Sequence, residues 1–177
     1  MPNALRSIIS RRAALTHMAL CTGAAVSSHT LGGVARMFAA AGTRDVAILS
    51  AALYLEHEAI AAYEAGAASG LLPPDVLKVA AAFMDDHKYH RDGIAGVLHT
   101  LGERPVGRSE EYRFGRLRDA NDILNLALRL EQGAATAYRT LASSVQNTAV
   151  LGFAAHVMVD EVRHSTVLRG ALGLRNF

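Results

Sequence analysis

The chain has 177 residues, 51% of them hydrophobic, with 18 basic against 16 acidic side chains and a formal net charge of +2. That length supports one domain with a real core, and the near-balanced charge argues against nucleic acid or another polyanion as a partner. The Ala- and Leu-rich, Trp-free composition favours helix throughout, and neither a useful run of alternating strand pattern nor a nucleic-acid motif occurs.

The first forty residues read as a separate object. Arg6, Arg11 and Arg12 precede a mildly apolar run from Ala13 to Val26, and no acidic residue occurs before Asp45. This is the layout of an export signal, with a basic start and an apolar stretch too short for an ordinary membrane span. Ser10-Arg11-Arg12-Ala13-Ala14-Leu15 resembles a twin-arginine signal, and Ala39-Ala40-Ala41 offers a small-residue cleavage site before Gly42. The resemblance implies that residues 1–41 are a signal peptide, that the twin-arginine export machinery is a partner, and that the mature protein is exported to a bacterial periplasm. A cytosolic N-terminal arm is the alternative; a lipoprotein signal ending at Cys21 is disfavoured by the bulky Leu20. Removal of residues 1–41 takes four arginines and no acids, leaving a mildly acidic, cysteine-free domain over residues 42–177.

Four helices are predicted in that domain. The first starts with Thr43 as N-cap and Asp45 in its first turn, and carries Leu49, Ala52, Leu53, Glu56, Ile60, Tyr63 and Ala67 on one face. Gly70 and Pro73-Pro74 end it and start the second, whose stripe is Leu77, Ala80, Met84, His87, Ile94, Leu98 and Leu101, with His90 one turn after His87. Residues 102 to about 120 are polar and long enough to cross the length of a helix, with Tyr112 and Phe114 as packing points and Glu110 and Glu111 solvated. The third helix, Asn121 to Ser144, presents Leu124, Ala127, Leu128, Glu131, Ala135, Tyr138 and Ala142. Thr148 is expected to cap the fourth, with a stripe of Leu151, Ala154, Val157, Glu161, His164 and Leu168. The fold class is thus all-α: two helical hairpins joined by a long crossover.

The two hairpins read as copies. Glu56 and Tyr63 recur 75 positions later as Glu131 and Tyr138; Met84, Asp86, His87 and His90 recur 74 positions later as Met158, Asp160, Glu161 and His164. An ionised carboxylate in an apolar stripe costs several kcal/mol unless it is paired or holds a cation. Two of them in matched positions point to a metal. Residues at i and i+3 share a helix face, so Glu161 and His164 can reach one interior point. Carboxylate and imidazole without sulfur suit iron, manganese or zinc. Asp86 and Asp160 are placed to hold the opposite helix's histidine by its second N–H. Met84 and Met158 are core packing, while His57, His99 and His156 fall off the stripes, as do Glu58 and Glu64.

On these residues the chain resembles the ferritin-like superfamily, in which a Glu from each of two helices and a Glu-x-x-His from each of the others converge. The resemblance covers roughly residues 43–173. It implies Glu56, His87, His90, Glu131, Glu161 and His164 as ligands of one or two non-haem iron or manganese ions. Tyr63 and Tyr138 match the tyrosines of bacterioferritin-like members and are candidates for a part in the oxygen chemistry. One departure stands out: His87-x-x-His90 replaces a Glu-x-x-His. A carboxylate can bridge two metals, and a histidine ordinarily cannot. An asymmetric dinuclear centre, one tight and one weak site, or a single ion all remain open.

The function expected is redox chemistry at the metals: oxidation of Fe(II), or reduction of peroxide or dioxygen. The alternatives are an iron-storage cage, which requires a homo-oligomer, and a structural or stress-protective bundle without catalysis.

Overall fold

The computed structural model describes residues 43–175. The signal expected over residues 1–41, its cleavage region and Cys21 lie outside them. Four helices make up the described chain: α1 (Thr43–Ala68), α2 (Pro74–Thr100), α3 (Ala120–Ser144) and α4 (Thr148–Ala171), with no strand among the described residues. The all-α reading holds.

The chain packs α1 on α2 and α3 on α4 as hairpins, then joins the hairpins through α1 against α3 and, more lightly, α2 against α4. Tyr63 meets Glu131 while Tyr138 meets Glu56, so α1 and α3 run antiparallel. His90 meets Asp160 while His164 meets Asp86, which makes α2 and α4 antiparallel as well. The successive helices α2 and α3 therefore lie on a diagonal and run the same way. Residues 101–119 must return along the length of the bundle, and they do so against α1. His57 Nε2 donates to the Val106 carbonyl at 3.2 Å, and further along Arg108 pairs with Glu64 at 2.6 Å. Tyr112 and Phe114 stack on each other within this crossover.

Local chemistry sets the helix ends. Pro74 occupies the first turn of α2, where a missing N–H costs nothing. Asp119 caps α3 by accepting from the Asp122 amide. Two caps differ from expectation: α1 already includes Thr43, and α4 is capped by Asn147, whose carbonyl oxygen accepts from the Ala149 and Val150 amides. Asn reaches both amides from an extended backbone, so Thr148 becomes the first helical residue. Gly102 and Gly173, at φ of +79° and +71°, take the left-handed conformation that ends α2 and α4. Asp45 does more than complement its own helix. It is buried, and its carboxylate accepts from the Gln146 and Asn147 amides at 3.3 and 3.2 Å, tying the start of α1 to the α3–α4 turn.

The core divides into two apolar plugs. One, toward the α3–α4 turn, gathers Leu49, Leu53, Ile94, Leu98, Leu141 and Val157; the other, toward the α1–α2 turn, gathers Tyr63, Phe83, Leu124, Leu128 and Leu168. The layer between them holds Glu56, His87, His90, Glu131, Glu161 and His164, all at most 1% exposed. Three stripe residues are exposed instead, namely Ala67, Leu77 and Leu151. Each lies in a terminal turn, where neighbouring helices no longer close over the stripe. Ala134, not Ala135, takes the buried place on α3. By length and composition α1 could cross a membrane, but its apolar face closes over the bundle core.

Candidate metal centre

Each helix contributes to the middle layer because the polar position falls in register with the apolar stripe. Glu56 follows Leu49, Ala52 and Leu53 on the inner face of α1; Glu131 follows Leu124, Ala127 and Leu128 on that of α3. The i, i+3 pairs His87/His90 and Glu161/His164 project from α2 and α4 into the same space. All six residues named from the sequence converge there.

Their donor atoms fall into two sets, each within 4.8 Å: Glu56, His87, His90 and Glu161 in one, His87, Glu131, Glu161 and His164 in the other. His87 and Glu161, the residues at which the two sequence copies differ, belong to both. Within the first set, His87 Nδ1 lies 2.8 Å from Glu56 Oε2, and His90 Nδ1 lies 3.7 Å from the same oxygen and 3.4 Å from Glu161 Oε1. Within the second, His164 Nδ1 lies 3.1 Å and His87 Nε2 3.2 Å from Glu131.

Asp86 and Asp160 hold the outer faces of the histidines. Asp160 Oδ2 sits 3.2 Å from His90 Nε2, and Asp86 Oδ2 sits 3.0 Å from His164 Nε2. Each aspartate thus serves the histidine of the facing helix, turning its Nδ1 inward. Asp86 is committed to this task and supplies no substitute carboxylate for the centre. Arg163 bridges the two aspartates at 2.9 and 3.0 Å. Tyr63 donates to Glu131, and Tyr138 donates to Glu56.

Sequence reasoning missed Phe83 and Arg163. Phe83 is fully buried, and its ring stacks on His164 with centroids 3.9 Å apart. It lies four residues before His87, so helical spacing carried the signal. Arg163 lies outside every apolar stripe and gave none. The three off-stripe histidines behave differently: His99 and His156 are exposed, whereas His57 is half-buried and fastens the crossover.

The electrostatics follow from burial opposed by pairing. Burial pushes the Glu56 carboxyl up, but hydrogen bonds with His87 and His90 outweigh it and bring the group down to about 2. Glu131 is held well below the carboxylate range, with His164 and His87 overcoming burial. Burial disfavours a charged His90, yet Asp160, Glu161 and Glu56 raise it to about 11; His87 is likewise raised, through Glu131 and Glu56. Glu161 goes the other way. Burial, reinforced by the neighbouring Glu131 and opposed by His90, pushes it up to about 8. Burial and the adjacent carboxylates keep both tyrosines neutral donors.

Four buried side-chain atoms find no hydrogen-bond partner among the described residues, and three of them lie in this layer: His90 Nδ1 and both oxygens of Glu161. A buried carboxylate with neither oxygen satisfied is costly. It sits where the two ligand sets meet. Oxygen and imidazole donors in this number suit a first-row divalent ion, so the residues fit such a metal.

The ferritin-like domain family matches residues 44–174. The chain belongs to the ferritin-like domain family. Among solved structures, this ferritin-like chain is similar to a conserved hypothetical protein, rv2844, from Mycobacterium tuberculosis: 27% identity, TM-score 0.70, 77% of this chain and 95% of that one. It also shares its fold with a ferritin like, diiron-carboxylate protein from Bacillus anthracis str. Ames at 21% identity and TM-score 0.64, over 72% of this chain and 94% of the other. A third likeness is to a dodecameric thioferritin, the bacterioferritin-related protein of Bacteroides fragilis, at 22% identity and TM-score 0.66, over 73% and 84%. No curated protein matches the chain.

Proposed function

We propose that this ferritin-like chain is an exported protein that holds non-haem iron at Glu56, His87, His90, Glu131, Glu161 and His164 and carries out redox chemistry there. The observation that carries the reading is Glu161: a buried carboxylate with neither oxygen hydrogen-bonded among the described residues, shared by two four-residue ligand sets. The likeness to a diiron-carboxylate protein supports iron; manganese suits the same donors. Bound iron would supply the electron exchange needed to oxidise Fe(II) or to reduce peroxide or dioxygen. The chain's own residues do the rest. Asp86 and Asp160 fix the histidine rings with Nδ1 facing inward. The two apolar plugs keep bulk water from the layer. Tyr63 and Tyr138 orient Glu131 and Glu56 and are oxidisable side chains in contact with the centre's carboxylates.

Export through the twin-arginine route rests on the Ser10–Leu15 segment. A route that carries folded proteins would let the centre fill before transport. Metal analysis of protein recovered from the exported fraction tests both points together. The expected result is stoichiometric iron, lost in Glu131→Ala and His164→Ala. Protein confined to the cytosol defeats export, and protein that binds neither iron nor manganese defeats the redox reading.

A second reading has its own observation. His87 contacts Glu56 and Glu131 at 2.8 and 3.2 Å, so the layer partly neutralises itself, as a protective bundle without catalysis would require. Stability that does not respond to metal would favour it. A cage-sized species in size-exclusion chromatography would favour iron storage.

A further inference from the structure

We propose that His87 bridges the two halves of the centre through both of its ring nitrogens, so that an imidazole stands where a bridging carboxylate would be expected. The inference rests on the metal-binding reading above and goes beyond it. Under the exchange of hairpins that relates Glu56 to Glu131 and His90 to His164, His87 falls on the place of Glu161. It has kept a position between the two ligand sets with different donor atoms. Nδ1 faces Glu56 at 2.8 Å and Glu161 at 3.7 Å; Nε2 faces Glu131 at 3.2 Å. The two nitrogens thus point to opposite halves of the layer, and no outer carboxylate holds either one. That is the contrast with His90 and His164, whose Nε2 atoms are held by Asp160 and Asp86, leaving only Nδ1 for the interior.

A His87 ring that binds on both sides would release its N–H protons to solvent as the ions enter. Metal–nitrogen bonds on opposite sides of the ring would hold the ions wider apart than the roughly 3.5–4 Å of ordinary two-metal sites. Glu161, with neither oxygen hydrogen-bonded among the described residues, belongs to both ligand sets.

The test is a crystal structure of the full chain loaded with Mn(II), with the ions located by their anomalous scattering. Two ions are expected, one bonded to His87 Nδ1 beside Glu56 and the other to Nε2 beside Glu131. In His87→Glu a carboxylate bridge should draw them in to about 3.5–4 Å. In solution, Mn(II) paramagnetic resonance should show an exchange-coupled pair in the native chain, and His87→Ala should bind one ion where the native chain binds two. Two ions with His87 bonded to only one of them, or a single ion, would overturn the bridge and leave the metal-binding reading standing. Absence of any ion would overturn both.

Discussion

Tyr63 and Glu131 belong to different hairpins and share a buried hydrogen bond, with the phenol as donor. Tyr138 and Glu56 repeat it in the opposite sense. Each tyrosine therefore satisfies a buried carboxylate and fastens α1 to α3 at the level of the centre. In Tyr63→Phe and Tyr138→Phe, urea unfolding of the metal-free protein should show a loss of about 1.5–3 kcal/mol each, the range for hydrogen bonds to charged groups. Metal stoichiometry should not change. Loss of metal in either variant would make the tyrosines indispensable to the centre itself.

Asp86 and Asp160 touch the histidines from outside. Asp86→Asn and Asp160→Asn keep the size of the side chain and remove its charge. Metal affinity should fall about 10–100-fold in each, as found for partners that orient metal-ligating histidines. Titration calorimetry with Fe(II) under anaerobic conditions measures it. An unchanged affinity would show that His90 and His164 are oriented without the aspartates.

The pH dependence of the metal-free fold follows from three groups. Glu56, at about 2 in the fold, contributes stability present above its ordinary 4.5 and lost as pH falls toward 2. His90, at about 11, contributes stability present below 6.5 and lost as pH rises toward 11. Glu161, raised to about 8, favours the fold below 4.5 and loses that contribution as pH rises toward 8. The metal-free protein should therefore be most stable at mildly acidic pH, near 4.5–6.5, and its Tm should decline above that range. Metal binding displaces protons, so the rise in Tm on adding metal should grow over the same range. Thermal scans from pH 4 to 9 with and without Fe(II) or Mn(II) decide the matter. A metal-free Tm that rises steadily with pH would contradict this account.

Asp45 links the start of α1 to the turn between α3 and α4, far from the metal layer. Asp45→Ala removes the acceptor of two backbone amides and should cost about 1–3 kcal/mol of stability. Metal content per folded chain should be preserved. A matching loss of metal would mean that the two hairpins are positioned from this end.

The bundle was legible because its inner faces are periodic. Leu49, Leu53, Glu56, Ile60 and Tyr63 recur at helical spacing, and the same pattern returns in α3 with Leu124, Leu128, Glu131 and Tyr138. Pro73-Pro74 and Gly102 mark ends that local backbone chemistry imposes. The terminal turns were less legible: Leu77 and Leu151 share the core spacing yet meet solvent, because spacing does not tell where a neighbouring helix stops. The capping role of Asn147 did carry a local signal, since Asn caps better than Thr, whereas the tie made by Asp45 depends on how a distant turn meets α1.

The sequence by itself determined that the chain makes four helices, that each copy carries one carboxylate and one ligand pair on its buried face, and that the copies differ at His87 and Glu161. These follow from periodicity and internal repetition, both properties of residue order. Only the tertiary structure decided which atoms meet. Antiparallel pairing of α2 with α4 sends Asp86 to His164 and Asp160 to His90, and that of α1 with α3 sends each tyrosine to the other hairpin's glutamate. The same packing sets His87 between Glu56 and Glu131 and leaves neither oxygen of Glu161 hydrogen-bonded among the described residues. Which groups share a buried space depends on the direction and depth at which helices cross, and those are fixed by the packing of the two apolar plugs on either side.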